Sequence, residues 1–286
     1  MYQKNYVALH FILDYNDSRK ANVRVEYRRL SRMLHEERIV VLKEYMLQNR
    51  FAKINDLKDL MNVSKATVRR CLIQLENDGF LQTTRGGAVI ASNGVLFEQP
   101  YYMKRDTNAA EKARIAQKAC EMIGDNLSIF LDSGTTIERM CPFLSRPQNL
   151  MVATNDIQIA SELKDNTNMT VTVIGGLLRK NFYTLTGMYA ELILNEMRFD
   201  YAFISSDTIC ENGGLMITNP EEVQIKRLVA KSASKLIVLA DHSKFEKTSF
   251  LSVCGLDDID VVITDNKLDD GLYERYRELG PEIVRV

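Results

Sequence analysis

The sequence predicts an α/β protein in two parts: three helices and a β-hairpin over residues 36–91, then a mainly parallel, helix-covered sheet over 109–286. Three observations predict it. Beyond residue 109, short apolar runs of strand length alternate with amphipathic helical stretches, the pattern of a parallel sheet covered on both faces. Before residue 91, apolar positions recur at helical spacing in consecutive segments, and two short runs then flank Arg85-Gly86-Gly87. A chain of 286 residues with 45% hydrophobic and 26% charged side chains also has enough apolar surface for two globular units, which excludes a disordered tail protein.

The first helix runs from Glu36 to about Asn49, with Ile39, Leu42, Tyr45 and Met46 on one face. Asn55 is positioned to cap a short second helix that turns Leu57, Leu60 and Met61 inward. Ser64 caps a third, KATVRRCLIQLENDG, which buries Val68, Leu72 and Leu75 and is ended by Gly79. Two short helices joined by a tight turn, the second opening with Ser64, Lys65, Thr67, Arg69 and Arg70, have the dimensions of a reader that enters a DNA major groove. Either arginine could pair bidentately with guanine, while Ser64, Lys65 and Thr67 hold phosphates. FLQTTRGGAVIA then reads as a hairpin wing carrying Arg85, Gly86 and Gly87, which completes a winged helix-turn-helix.

Charge agrees in sign. Residues 1–35 carry 7 basic and 3 acidic side chains and residues 36–91 carry 9 and 7, whereas the remainder carries 21 and 28. A polyanion therefore belongs with the first third of the chain and a near-neutral sensor or enzyme with the rest. The five cysteines never form a C-x-x-C pair, so neither a zinc site nor a disulfide framework is expected, and a reducing, cytoplasmic setting fits. No run of about 18 apolar residues is present, so no membrane helix is expected.

Residues 92–108 contain Gly, Pro and mixed charges and read as a linker. Helices then fall at 109–123, 136–144, 156–164, 188–197, 221–234 and 270–279, with strands at SIFLD, LMVAT, MTVTVIGG, FDYAFIS, KLIVLAD and DVVITD. In such sheets ligands sit at the carboxyl ends of the strands. There the sequence places Asp132-Ser133-Gly134-Thr135-Thr136, whose hydroxyls and amides at a helix start would suit phosphate. Neighbouring strand ends offer Thr154-Asn155, Gly175-Gly176 and the Asp241 to Lys244 turn, and Lys226 is a second candidate cation. Taken singly, each of these is explained as a cap, a turn or a solvated charge. Asp257, Asp258 and Asp260 read as turn chemistry rather than a metal site, and neither metal nor cofactor is expected.

The stretch VSKATVRRCLIQLENDGFLQTTRGGAVI resembles the reader domain of the DeoR family of transcriptional regulators. It departs from that pattern at Cys71, where Asp is usual, at Arg85, where His is usual, and at Gln82 and Thr83, where basic residues are usual. The order EKARIAQKA, LDSGTT, ATNDIQIA, VIGGLLR, LTG, FDYAFI, EEVQIKR, DHSKF, VVITD resembles the sensor domain of the same family, with Ser205-Ser206 replacing a small, glycine-containing sequence. That fold is similar to ribose-5-phosphate isomerase. The resemblance implies a sugar-phosphate pocket in which residues 132–136 hold phosphate and Asn155, Glu222, Lys226, Asp241 and Lys244 contact or shape the sugar end. It also aligns Met33-Leu34-His35-Glu36-Glu37-Arg38 with the usual start of such regulators, so Met33 reads as the natural start. Residues 1–32 then have no counterpart and read as a basic arm on the DNA backbone or minor groove, or as a solvated or untranslated extension; ahead of the reader, 1–35 form an N-terminal extension expected to be disordered.

The expected function is a DNA-binding regulator, a repressor of carbohydrate metabolism genes by family resemblance. It would bind a double-stranded operator as a homodimer or homotetramer, with a phosphorylated sugar effector altering that affinity. The alternatives are a sugar-phosphate isomerase-like enzyme with an appended reader, using Glu222, Asp207 or Asp241 as base, and an architectural DNA binder indifferent to small molecules.

Overall fold

The computed structural model describes residues 34–49, 51–84, 86–90, 98, 101–179 and 182–286. The readings of residues 1–33, Met33 among them, and of Arg85 lie outside those residues. The chain divides into two compact units between Ser92 and Asn93.

In the first unit, α1 (His35–Asn49) places Glu36 and Glu37 in its first turn, where carboxylates oppose the positive helix end, and buries Ile39, Leu42 and Met46. A three-residue strand β1 (Phe51–Lys53), absent from the sequence reading, leads into α2 (Ile54–Met61). The expectation that Asn55 caps α2 is corrected. The cap position is Lys53, with no side-chain bond, and Asn55 lies inside the first turn, because pairing of β1 fixes where the extended chain ends. Asn62 ends α2 in a left-handed conformation (φ 50). As expected, Ser64 caps α3 (Lys65–Asn77): its hydroxyl accepts from the Thr67 N–H at 3.2 Å. Val68, Cys71, Leu72 and Leu75 are buried, and Gly79 (φ +72) turns the chain out of the helix. The wing follows as β2 (Leu81–Thr84) and β3 (Gly87–Ile90), and β3 pairs with both β1 and β2 in an antiparallel sheet. Gly87 is required there: a Cβ would stand 2.0 Å from the Ala52 carbonyl oxygen.

In the second unit the expected linker holds a helix, α4 (Tyr101–Asp106), followed by α5 (Ala109–Cys120). Thereafter come β4 (Ser128–Leu131), α6 (Thr135–Glu138), β5 (Leu150–Thr154), α7 (Ile157–Leu163), β6 (Met169–Val173), β7 (Leu177–Leu178), β8 (Leu185–Thr186) and α8 (Met188–Asn195). The chain continues through β9 (Phe199–Ile204), β10 (Thr208–Cys210), β11 (Gly214–Ile217), α9 (Pro220–Ser232), β12 (Ala233–Leu239), β13 (Leu251–Cys254), β14 (Val261–Thr264), α10 (Asp270–Arg277) and β15 (Glu282–Arg285).

Seven strands form a wholly parallel sheet in the order β15-β14-β12-β9-β4-β5-β6. Alternate residues feed two cores. Ile129 and Leu131 pack with Ile115 and Ile159 on one face, and Phe130 packs with Leu194 and Ile225 on the other. The run read as a helix over 136–144 is instead one turn of helix and a 3-10 turn (Cys141–Phe143), since Pro142 has no N–H to continue the ladder. β7, β8, β10, β11, β13 and β15 were not foreseen. Strand order reverses at β4, with β5 and β6 on one side and β9 on the other, so the carboxyl ends of β4 and β9 border the crevice where such sheets bind ligands.

Candidate functional site

β4 exits into Asp132-Ser133-Gly134 and β9 exits into Ser205-Ser206-Asp207, side by side. Close approach joins them. The Asp132 carboxylate accepts from the Ser205 N–H (3.0 Å), the Ser205 hydroxyl donates to the Ser133 carbonyl (2.9 Å), and a Cβ on Gly134 would lie 2.3 Å from that hydroxyl. Between them opens a cavity walled by Ser133, Gly134, Thr135, Thr136, Glu222, Lys226, Asp241 and Lys244, eight positions named from sequence.

Five others are corrected. Asp132 does not line the cavity but is buried behind it, ion-paired to the Lys226 ammonium. Thr154 is fully buried and accepts from the Asp156 N–H (3.1 Å), and Asn155 is buried with its amide donating to the Leu185 carbonyl (3.2 Å). Gly175 is outside the lining, and Gly176 admits the Thr186 carbonyl, 2.3 Å from where its Cβ would be. The chain turns down at these positions to form β7 and β8, so the cavity wall comes from Asp156 and Thr184 instead.

The positive charge also has a different source from the one expected. α6 is a single turn, too short for a substantial helix dipole, and four lysines face the cavity instead. Two of them have counter-ions. Lys226, from α9, pairs with Asp132 and donates to the Ser205 carbonyl (3.1 Å); burial works against its charge, but Asp132 and Glu222 hold its pKa above the ordinary lysine value. Lys104, from α4, bridges Asp207 (2.8 Å) and Glu98 (3.1 Å), and despite burial these carboxylates raise its pKa. Asp207 lies correspondingly far below the carboxylate range, Lys104 outweighing its burial.

The other two have none among the described residues. Lys112, on α5, is 3% exposed and donates to the Lys104 carbonyl and to the Thr135 hydroxyl (3.1 Å). Burial, against the pull of Asp241 and reinforced by Lys244, lowers its pKa to about 8. Lys244 is likewise lowered by burial and then by Lys104. Its 3-10 turn is braced by Asp241, which accepts from Asn108 (2.8 Å) and the Ser243 N–H (3.0 Å).

The far wall is acidic. Glu222 is ion-paired to Arg179, which also holds Glu98 (2.7 Å), and burial nonetheless raises the Glu222 pKa. Asp156 is pushed up to about 6 by burial, against the Gln158 and Ile159 N–H groups that it caps. The three carboxylates nominated as bases are all engaged: Glu222 with Arg179, Asp207 with Lys104, and Asp241 in its turn. Asp241, His242 and Asp265 each bring one possible ligand atom within 4.8 Å of the others, but His242 Nδ1 bonds to Asp265 (2.9 Å) and Asp265 accepts two backbone N–H groups. The trio braces a turn. Asp258 and Asp260 likewise accept backbone N–H groups, of Gly255 (2.9 Å) and Leu236 (2.7 Å).

Sequence reasoning missed Glu98, Tyr101, Lys104 and Asn108, which fell in the expected linker, and also Lys112 and Arg179. One signal was available for Lys112: it stands on the buried stripe of α5 with Ile115, Ala116 and Ala119, where a lysine is out of place without a partner.

On the first unit Ser64, Lys65, Arg69 and Arg70 are exposed along α3, while Thr67 is half-buried with its hydroxyl 3.0 Å from that of Ser64. Cys71 faces the core, where burial raises its thiol pKa. Gly86 is exposed, and Gly87 serves the β1 contact described above.

Comparison with known proteins gives the same division. Residues 38–93 match the model of the DeoR-like helix-turn-helix domain and residues 107–266 that of the DeoR C-terminal sensor domain. The chain is 32% identical to the HTH-type transcriptional regulator GolR of Listeria innocua (82% of this chain, 91% of the relative) and 32% identical to GlpR of Haloferax volcanii (88% and 98%). It is also 32% identical to the HTH-type transcriptional repressor GlcR of Bacillus subtilis (88% and 96%). Among solved structures, ribose 5-phosphate isomerase A of Methanocaldococcus jannaschii aligns over 49% of this chain and 55% of its own at 18% identity and a TM-score of 0.35, too loose a likeness to bear on function. A helix-turn-helix region and a parallel α/β sensor domain, both matched, and relatives at this identity along more than four fifths of its length make this chain a member of the DeoR family of DNA-binding transcriptional regulators, not an enzyme.

Proposed function

We propose that this chain represses carbohydrate metabolism genes, that its sensor cavity takes a phosphorylated sugar, and that binding there changes the affinity of the reader for its operator. Lys112 carries this reading. A buried ammonium without a carboxylate is costly unless an anion completes it. The anion has hydroxyl partners beside it in Ser133, Thr135 and Thr136, and a second cation in Lys244, which has no ion pair among the described residues. The acidic wall of Glu222 and Asp156 suits hydroxyl donors, and the buried Ser206 hydroxyl in the lining has no partner among the described residues. An anionic head and a hydroxylated body describe a sugar phosphate. The GlcR relative, named a repressor, supports the direction of control.

Coupling follows from what Lys112 holds. It and the Thr135 hydroxyl both donate to the Lys104 carbonyl of α4, the first helix after the wing among the described residues. A phosphate that draws Lys112 and Thr135 to itself loosens α4, which gives the ligand different free energies in two arrangements of the chain, as any such switch requires. Paired half-sites about one helical turn apart call for a homodimer or homotetramer.

The test is an anisotropy titration on the DNA upstream of the gene, repeated across a panel of sugar phosphates. One member of the panel is expected to shift operator affinity at least fivefold, and Thr135→Val is expected to lose that shift while binding DNA normally. Indifference to the whole panel would refute the sensor reading. For the reader, Arg69→Ala is expected to cost about 1–3 kcal/mol on the operator and little on random DNA if it reads a base; equal losses on both would make it a phosphate contact.

A further inference from the structure

In the unit Met1–Ser92, α1 and α3 meet at a recess lined by His35, Arg38, Thr67 and Arg70. His35 is pinned there, its Nε2 lying 2.6 Å from Gln74 Oε1 and its Nδ1 3.8 Å from Cys71 Sγ. Residues 67, 70, 71 and 74 fall at i, i+3, i+4 and i+7, so the recess runs along one flank of α3 rather than its outermost face. When a helix enters a major groove its outermost face meets the base edges, and its flanks meet the phosphate rows.

Two arginines face the recess, and neither has an ion pair among the described residues. Arg38 is half-buried, and its Nε, shielded from solvent, has no hydrogen-bond partner among those residues. A cation held in that state is costly until an anion completes it. The carboxylates of the neighbouring turns do not: Glu36 is exposed and outside the lining, Glu37 accepts from the Leu34 N–H (2.9 Å), and Glu76 accepts from the Thr83 N–H (2.7 Å). Nor does Cys71. Burial raises its pKa against the pull of Arg38 and Arg70, so a neutral thiol stands where the family pattern has Asp.

We propose that Arg38 and Arg70, together with the Thr67 hydroxyl, hold one phosphate of the DNA backbone beside the groove that α3 enters, and that Arg38 is available for it because Cys71 leaves it without a counter-ion. A guanidinium matches phosphate with two parallel N–H bonds, and a threonine hydroxyl adds a third donor. The assignment gives α1 a DNA contact that reading α3 alone did not, and it moves Arg70 from base to backbone. It stands apart from the effector reading, since it concerns the reader unit and duplex DNA only.

The test is the salt dependence of DNA binding by the full chain, read by anisotropy on a random-sequence duplex over roughly 50–200 mM salt. Arg38→Gln is expected to lower the slope of log affinity on log salt by about 0.9 for each reader domain bound, with the same loss on the DNA upstream of the gene, because phosphates carry no sequence. Arg38→Lys keeps the charge and is expected to keep the slope. Cys71→Asp supplies a carboxylate to Arg38 and is expected to lower the slope as Arg38→Gln does, whereas Cys71→Ala leaves it native. An Arg38 that only braced α1 against α3 would change affinity without changing the slope. Should circular dichroism show Arg38→Gln or Cys71→Asp unfolded, Arg70→Gln, at an exposed position, is expected to lower the slope in the same way. A native slope in folded Arg38→Gln, in folded Cys71→Asp or in Arg70→Gln would overturn the proposal.

Discussion

Lys112→Met abolishes the sugar-phosphate response and leaves the unliganded protein more stable than the native chain by about 1–2 kcal/mol. The sign follows from the electrostatics of the site. A pKa brought from 10.5 to about 8 means the folded environment disfavours the ammonium by about 3 kcal/mol. Methionine has a similar volume without the charge; it gives up two hydrogen bonds, to the Lys104 carbonyl and the Thr135 hydroxyl, each worth about 1 kcal/mol net. Denaturant titration beside the anisotropy assay measures both effects, and a loss of several kcal/mol would make Lys112 a structural cation instead. The native affinity also acquires a pH dependence. A bound phosphate raises the Lys112 pKa above its free value of about 8, so affinity is full below pH 8 and weakens, by up to about tenfold per unit, as pH rises through that value toward the liganded one. Lys112→Met removes that limb.

Lys226→Met has the opposite outcome, a loss of about 3–5 kcal/mol, because it strands Asp132. That carboxylate is 1% exposed, and its acceptor oxygen also takes the Ser205 N–H that joins the ends of β4 and β9. Against a typical total of 5–15 kcal/mol the loss is severe. Adding Asp132→Asn keeps the acceptor and removes the charge, so the double variant is expected to regain more than half of it. Thermal unfolding of the three proteins decides the matter: a cost below 1 kcal/mol for Lys226→Met would show that the pair does not brace the site.

The two lysines show how far the site was legible. Lys226 was named as a cation on the helix read at 221–234, and the loop Ser133 to Thr136 from its place after a strand, because both signals are local. Lys112 looks like an ordinary helical lysine until α5 is docked on the sheet. Lys104 lay in a segment whose glycine and proline marked it as a linker, and its partners, residues 98 and 207, are brought to it only by the fold. Thr154, Asn155, Gly175 and Gly176 were placed in the cavity because strand ends converge there; where the chain turns next decides which of them face it. Strands of two or three residues, β7, β8 and β10 among them, fall below the length at which alternation can be read.

By itself the sequence determined the class of each unit, the cap at Ser64, the exposed basic face of α3 and the polar loop that follows β4. All of these follow from periodicities and caps that act within about a dozen residues. Tertiary structure alone decided which cations have counter-ions and which carboxylates are spent. Those properties depend on charge pairing and burial between side chains as distant in the chain as Asp132 and Lys226, and in a low-dielectric interior their strength is set by separations of a few ångströms.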